Sequence, residues 1–253
     1  MEILAAFAHP DDETIMIGGT LAMLSSKGAV VHILSATRGE GGELGEPPLS
    51  SRAELGRVRE EEFQCAAQAL GARSAKCLDF VDPLIAENGD LRAFEANVDI
   101  LASQLQAEME SLATKILITH GSNGEYGHPA HRLMHEAAFL TSQHSDGVDL
   151  YTVSANFPGH PRPRLANEDD EADIVLNIEE WFPAKLAAAY CHRTQHALFV
   201  RRQSKRAGRQ LSISEALMKK ESLHRAWPDE SKGGEDPLSQ FIHQECPEAI
   251  IEG

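Results

Sequence analysis

Residues 3–8, Ile3-Leu4-Ala5-Ala6-Phe7-Ala8, form a nearly continuous apolar run that stops at His9-Pro10-Asp11-Asp12-Glu13. A short run without polar alternation is what a strand buried on both faces requires, and such strands belong to sheets covered by helices on both sides. Residues 29–36, 76–81, 115–120 and 151–154 read as further strands of this kind. Between them lie helical segments: Ile15, Ile17, Leu21 and Leu24 closing at Lys27-Gly28, then 50–70 ending at Leu70-Gly71, 91–112, and 129–142. This alternation predicts an α/β fold built on a doubly wound, mostly parallel sheet. Past residue 160 the pattern loosens. Pro161 to Pro163 and the acidic run 168–171 read as surface loop, 173–178 as a strand, 183–193 as a helix, and 232–237 as a loop.

The 253 residues suffice for one large domain. A net charge of −16 argues against a nucleic-acid partner, because phosphate binding needs net or concentrated positive charge. The exception is the stretch Arg201-Arg202-Gln203-Ser204-Lys205-Arg206-Ala207-Gly208-Arg209, readable as a solvated face or as a docking site for an anionic ligand. Cys65, Cys77, Cys191 and Cys246 show no CxxC spacing and read as reduced thiols. Residues 1–8 are too short for a signal peptide and no run approaches a membrane span, so a cytoplasmic protein is expected.

In open α/β sheets ligands sit beyond the carboxyl ends of the strands. Three polar segments fall there: 9–13, the Gly/Pro-rich loop from Thr37 to Pro48, and the loop from His120 to His131. His9 and Asp12 straddle a tight Pro10-Asp11 step that can aim both side chains at one ion, with Asp11 close enough to take a proton from a bound water. His128-Pro129-Ala130-His131 sets two imidazoles three residues apart at a helix start, on one face. His131 could be a third ligand and His128 an acid or oxyanion donor. The bland readings stay open: an acidic triplet at a helix start is often only a solvated N-terminus, and two such histidines are often unrelated surface residues. Arg59 and Glu62 could be a surface pair, and Asp82 before Pro83 a turn residue. Of the other histidines, His192 could line the cleft or pack, His135 is the likeliest stray ligand, and His120 is set aside as surface or core.

The segment Ala8-His9-Pro10-Asp11-Asp12-Glu13 resembles the signature of the LmbE-like (PIG-L) family of zinc-dependent N-deacetylases. Further matches follow in the family's order: Thr37-Arg38-Gly39-Glu40, Arg59 with Glu62 and Ala66 before Leu70-Gly71, Asp82, Tyr126-Gly127-His128-Pro129 with His131, and Lys185 with Ala189, His192 and Gln195. The resemblance covers about residues 3 to 200. It implies a Rossmann-like fold, one zinc ion per chain or another divalent metal in its place, and hydrolysis of an N-acetyl group on an N-acetylglucosamine-type substrate. Carried over, it makes His9, Asp12 and His131 the ligands and Asp11 the general base. His128 would stabilise the tetrahedral intermediate or protonate the amine, Tyr126 would help hold the oxyanion, and Arg59, Asp82 and Glu40 would contact the sugar. Ala130 departs from the family's usual Asp between the two histidines, which leaves His128 without an adjacent acid to raise its pKa. The same scaffold also suits an amidase for a thiol conjugate, a deacetylase for an antibiotic-pathway amino sugar, or a sugar-binding protein that keeps a metal without turnover. Residues 1–200 are expected to form the deacetylase domain. Residues 201–253 would be a C-terminal extension packing on it or on a neighbouring subunit of a homo-oligomer.

Overall fold

The computed structural model describes residues 1–86, 88–228 and 236–251. Strand β1 (Glu2–Phe7) explains the opening apolar run. Ile3, Ala5 and Phe7 pack in a core with Ile17, Leu21 and Leu24 of α1 (Asp12–Ser26) and Phe63 and Ala66 of α2 (Leu55–Ala69). Leu4, Ala6 and Ala8 alternate into the opposite core, against Leu101 and Leu105 of α3 (Val98–Ser111) and Met134 and Ala137 of α5 (Pro129–His144), which follows the one-turn α4 (Gly124–Gly127). Both faces of the strand are dry, so neither needs polar residues.

Strands β2 (Val30–Thr37), β3 (Ser74–Phe80), β4 (Ile116–Thr119) and β5 (Asp149–Val153) join β1 in the order β3-β2-β1-β4-β5, all parallel. Chain order reverses between β1 and β4, and the crevice beyond their carboxyl ends is where this topology holds ligands. The chain is thus an α/β protein with a mixed, mostly parallel sheet and helices on both faces.

The chain departs from the sequence reading in three places. The acidic run read as loop is a strand, β7 (Asn167–Glu171), paired in parallel with β6 (Ala155–Asn156). Asn167 and Asp170 there are buried; Asn167 accepts from Glu125 N, and Asp170 from Ser122 N and Thr152 Oγ1. After β8 (Ile174–Asn177), α6 (Phe182–Cys191), α7 (His196–Ala207) and the short α8 (Ile213–Ala216), the chain returns to the main sheet. Strand β9 (Lys220–Trp227) lies antiparallel between β5 and β8 and completes seven strands. The helix expected over 91–112 begins only at Val98, where Asn97 caps it by accepting from the backbone of Asp99 and Ile100. Most of the loop expected at 232–237 lies outside the described residues; Asp236 caps α9 (Pro237–Glu245).

The thiol reading is also corrected. Cys65 on α2 and Cys191 at the end of α6 form a disulfide, with Cα atoms 5.7 Å apart, whereas Cys77 and Cys246 are free and buried. The pairing spans 126 residues and exists because α2 and α6 lie side by side, which spacing alone does not reveal. Close packing of α1 has a similar origin: a side chain at Gly19 would meet Ile178 at 2.6 Å.

Candidate metal centre and catalytic cleft

Where β1 ends, Asp11 takes φ 111° and ψ −26°, a left-handed conformation unusual for a residue with a Cβ, just before α1. Such strain persists only where surrounding contacts fix it. Here the Asp12 carboxylate accepts from His9 N at 2.9 Å and the Glu13 carboxylate from Asp11 N at 2.9 Å. Glu13, fully buried, also holds Thr14 Oγ1 and His192 Nε2, the latter at 2.9 Å. His192 therefore braces the turn from α6 and does not itself reach the metal cluster.

The turn brings His9 Nδ1 to 3.3 Å from Asp12 Oδ2, and His131 Nε2 at the start of α5 to 3.4 Å from Asp12 Oδ1. His9 Nε2 faces Asp82 Oδ1 at 3.3 Å. Burial disfavours charge on His9, yet Asp12 and Asp82 raise its pKa to about 9. Among the described residues two sets of donors lie close enough to share an ion: His9, His128 and His131, and Asp12, His120 and His131.

Hydrogen bonding separates the histidines. Glu125 Oε2 accepts from Nδ1 of both His131 (2.5 Å) and His120 (3.1 Å), which leaves each Nε2 as the lone-pair nitrogen. Ala8 N–H then donates to His120 Nε2 at 3.0 Å, so that lone pair is taken. Nε2 of His131 is buried without a hydrogen-bond partner, beside Asp12. A buried orphan nitrogen, a carboxylate and a second imidazole match the N/O donor set and count of a hydrolytic zinc site. His128 differs again: its Nδ1 accepts from Ala130 N at 3.2 Å as the N-cap of α5, leaving an Nε2–H donor. Burial, then the charges of His131 and His9, depress its pKa to about 3. It stacks on His131 with ring centroids 4.4 Å apart.

Asp11 sits beside this cluster. Arg59, itself buried, donates to Asp11 Oδ2 at 3.2 Å, to Pro10 O and, at 2.8 Å, to Gly39 O. Burial pushes Asp11 up to about 6 against the pull of Arg59. Arg59 and Glu62 are not a surface pair; Glu62 accepts from Thr194 N at 2.9 Å and Thr194 Oγ1 at 2.7 Å. Glu40 and Asp82 tie their loops together: Glu40 Oε2 accepts from Asp82 N (3.0 Å) and Asp82 Oδ2 from Gly41 N (3.2 Å). The ring of Tyr126, partly exposed, lies 5.6 Å from that of His128 and 5.5 Å from that of His131.

Sequence reasoning overlooked His120, Glu125 and Asn167. A polar residue just past β4 was a usable signal for His120. Glu125 gave none, because its role rests on a backbone at φ 56°, ψ −83°. Asn167 Oδ1 accepts from Glu125 N at 2.9 Å and holds that conformation.

A family model described as PIG-L, GlcNAc-PI de-N-acetylase, matches residues 4–141. A 1D-myo-inositol 2-acetamido-2-deoxy-alpha-D-glucopyranoside deacetylase of Thermobispora bispora is 33% identical over 237 residues, covering 76% of this chain and 78% of the relative. The chain belongs to the PIG-L family. PIG-L membership agrees with the folds it resembles. A deacetylase of teicoplanin biosynthesis superposes with TM-score 0.61 at 18% identity over 90% of this chain and all (100%) of that one. The 4-carboxy-2-hydroxymuconate hydratase of Pseudomonas putida does so with TM-score 0.58 at 21% identity, over 93% and 98%. These likenesses carry the fold; the two names differ in reaction, so chemistry has to be read from the site.

Proposed function

We propose that this protein is a zinc-dependent de-N-acetylase that removes the acetyl group from an N-acetylglucosamine-type substrate, releasing acetate and a free amine. The observation that carries the reading is the buried, unpartnered Nε2 of His131 facing Asp12 and His9, with Asp11 alongside. The Thermobispora relative, by its name, deacetylates a glucosaminide of inositol, which supports an amino-sugar substrate here.

His9, Asp12 and His131 would hold the ion, which when bound makes water a stronger nucleophile and polarises the acetyl carbonyl. Asp11 takes the proton from the attacking water. Arg59 anchors its Oδ2, so the carboxylate stays oriented. His128, with Nδ1 engaged by Ala130, offers Nε2–H to the carbonyl oxygen as the carbon becomes tetrahedral, a contact of a kind worth about 3 kcal/mol of barrier. A neutral His128 has no spare proton to give away, so the amine takes the proton held by Asp11 as the C–N bond breaks. Water's oxygen ends in acetate and Asp11 returns to the carboxylate. With Ala130 where the family usually has an acid, the role assigned to His128 is that of donor.

The test is a panel of N-acetylated amino sugars assayed for acetate with zinc restored. Asp11→Asn should lower turnover by ~10²-fold or more while zinc stays bound. Full activity in that variant would sink the assignment of the base.

A further inference from the structure

Of the four cysteines, the accessible pair is the bridged one. Cys65 is exposed and Cys191 half-buried, whereas the free thiols of Cys77 and Cys246 are buried. A disulfide within reach of solvent can be attacked by a thiolate, and bridges of that kind are the reducible ones. Nothing in the proposed chemistry uses it, yet both of its halves adjoin residues that hold the catalytic turn.

On α2, Cys65 follows Glu62 by one helical turn and shares the helix with Arg59, whose guanidinium donates to Asp11 Oδ2 at 3.2 Å. On α6, Cys191 is the last residue, and His192 after it leaves the helix at φ −77°, ψ 58°. The His192 ring is fully buried with no hydrogen-bond partner at Nδ1; its Nε2 lies 2.9 Å from Glu13 Oε1 and 3.3 Å from Thr14 Oγ1. Its position therefore depends on those two contacts and on where α6 ends. Glu13 Oε2 in turn accepts from Asp11 N at 2.9 Å, while Asp11 is in its left-handed conformation. Two routes thus join the bridge to the proposed base, through His192 and Glu13 from α6 and through Arg59 from α2. Where the helices meet, Thr194 N and Oγ1 donate to Glu62, and the disulfide adds a covalent link.

We propose that the Cys65–Cys191 disulfide is a redox switch on turnover. Closed, it keeps the end of α6 against α2, so that His192 and Arg59 hold Asp11 from both sides. Opened, it frees the end of α6 and His192 withdraws from Glu13. A buried carboxylate left short of a partner then no longer fixes Asp11. The reductant is a small thiol. Its thiolate attacks the Cys65 sulfur, the S–S bond breaks, and Cys191 leaves as a thiolate that takes up a proton. A second thiolate attacks the mixed disulfide at the small molecule's sulfur, freeing Cys65 and leaving the two small thiols joined as a disulfide. Closure is the reverse, with that disulfide as oxidant. The proposed ligands His131 and Asp12 are tied to Glu125 and to His9 N instead, so zinc stays bound. The effect on turnover rests on the deacetylase reading; the movement of the turn does not.

The test equilibrates the zinc-loaded full chain in glutathione buffers of stepped reduced-to-oxidised ratio. Alkylation and mass spectrometry score the bridge, and acetate release from methyl N-acetylglucosaminide gives kcat and KM. As the bridge opens, kcat should fall by ~10-fold or more, the cost of a misplaced catalytic group, while KM and zinc content hold. It should return when the bridge re-forms. Cys65→Ser/Cys191→Ser should show the low kcat in every buffer, and the control Cys77→Ala/Cys246→Ala should keep the response. An equal kcat with the bridge open and closed, or a bridge that stays shut in reduced glutathione alone, would overturn the proposal. If no glycoside is hydrolysed, the deacetylase reading itself fails, and amide hydrogen exchange decides the switch separately. Reduction should speed exchange over residues 9–14 and 191–195 and leave that of β4 unchanged; equal exchange in both states refutes it.

Discussion

At the level of single residues, Glu125 sets the tautomer of the proposed ligand His131. One carboxylate holds two imidazoles in the same tautomer, and a single backbone N–H, that of Ala8, removes His120 from competition. Glu125→Gln keeps the shape but replaces an acceptor with a group that can donate to His131 Nδ1, which would move the ring proton to the nitrogen facing Asp12. Zinc affinity, measured by chelator competition, should fall by roughly 10- to 100-fold. Unchanged affinity would remove Glu125 from the site. His9 through Glu13 could be read from sequence because they are consecutive and follow a strand end. Glu125 could not, since its partners come from a backbone reversal held by Asn167, 42 residues away.

Among elements, the contact between α2, α6 and β9 is held by two features that local patterns do not encode. One is the disulfide joining Cys65 to Cys191. The other is Lys185 Nζ, 2.6 Å from Glu221 Oε1, with both side chains fully buried. Glu221 also accepts from Gly19 N (3.0 Å), Thr20 N (2.7 Å) and Thr20 Oγ1 (2.7 Å), so the pair fastens α6, α1 and β9. Lys185→Met strands a buried carboxylate and should cost about 3–5 kcal/mol in denaturant unfolding. Cys65→Ser with Cys191→Ser should cost about 2–5 kcal/mol, given the long loop the bridge closes. A melting point unmoved by either change would count against these contacts as structural. The strands β1 to β5 were legible because each is an apolar run between helical segments. β9 was not: Lys220-Glu221-Ser222-Leu223-His224 looks polar, and only burial of Glu221 and Ser222 by partners far along the chain makes it a strand.

For the molecule as a whole, the proposed ligands come from both sides of the β1–β4 crevice: His9 and Asp12 follow β1, and His131 opens α5 beyond β4. An ion bound there ties the two halves of the sheet and adds stability by mass action, about 4 kcal/mol at a thousandfold excess over Kd. Removing zinc with a chelator should lower the Tm, restoring zinc should raise it, and His131→Ala should abolish the difference. A Tm indifferent to zinc in the parent protein would contradict the site. No helix among the described residues is long and apolar enough to cross a membrane. The position of β9 also has a bearing on how the protein is made. Among the described residues β9 is the only strand paired with β8, beside an isolated bridge from Leu176 to Ile250, and Lys185 meets its counter-charge 36 residues later. As the chain emerges from the ribosome, every proposed zinc ligand is out by residue 131, long before the strand that completes the sheet. The nascent protein therefore presents its proposed ligands before the strand that finishes the sheet, and a stall or truncation before residue 220 would leave a chain with those residues but without a finished scaffold.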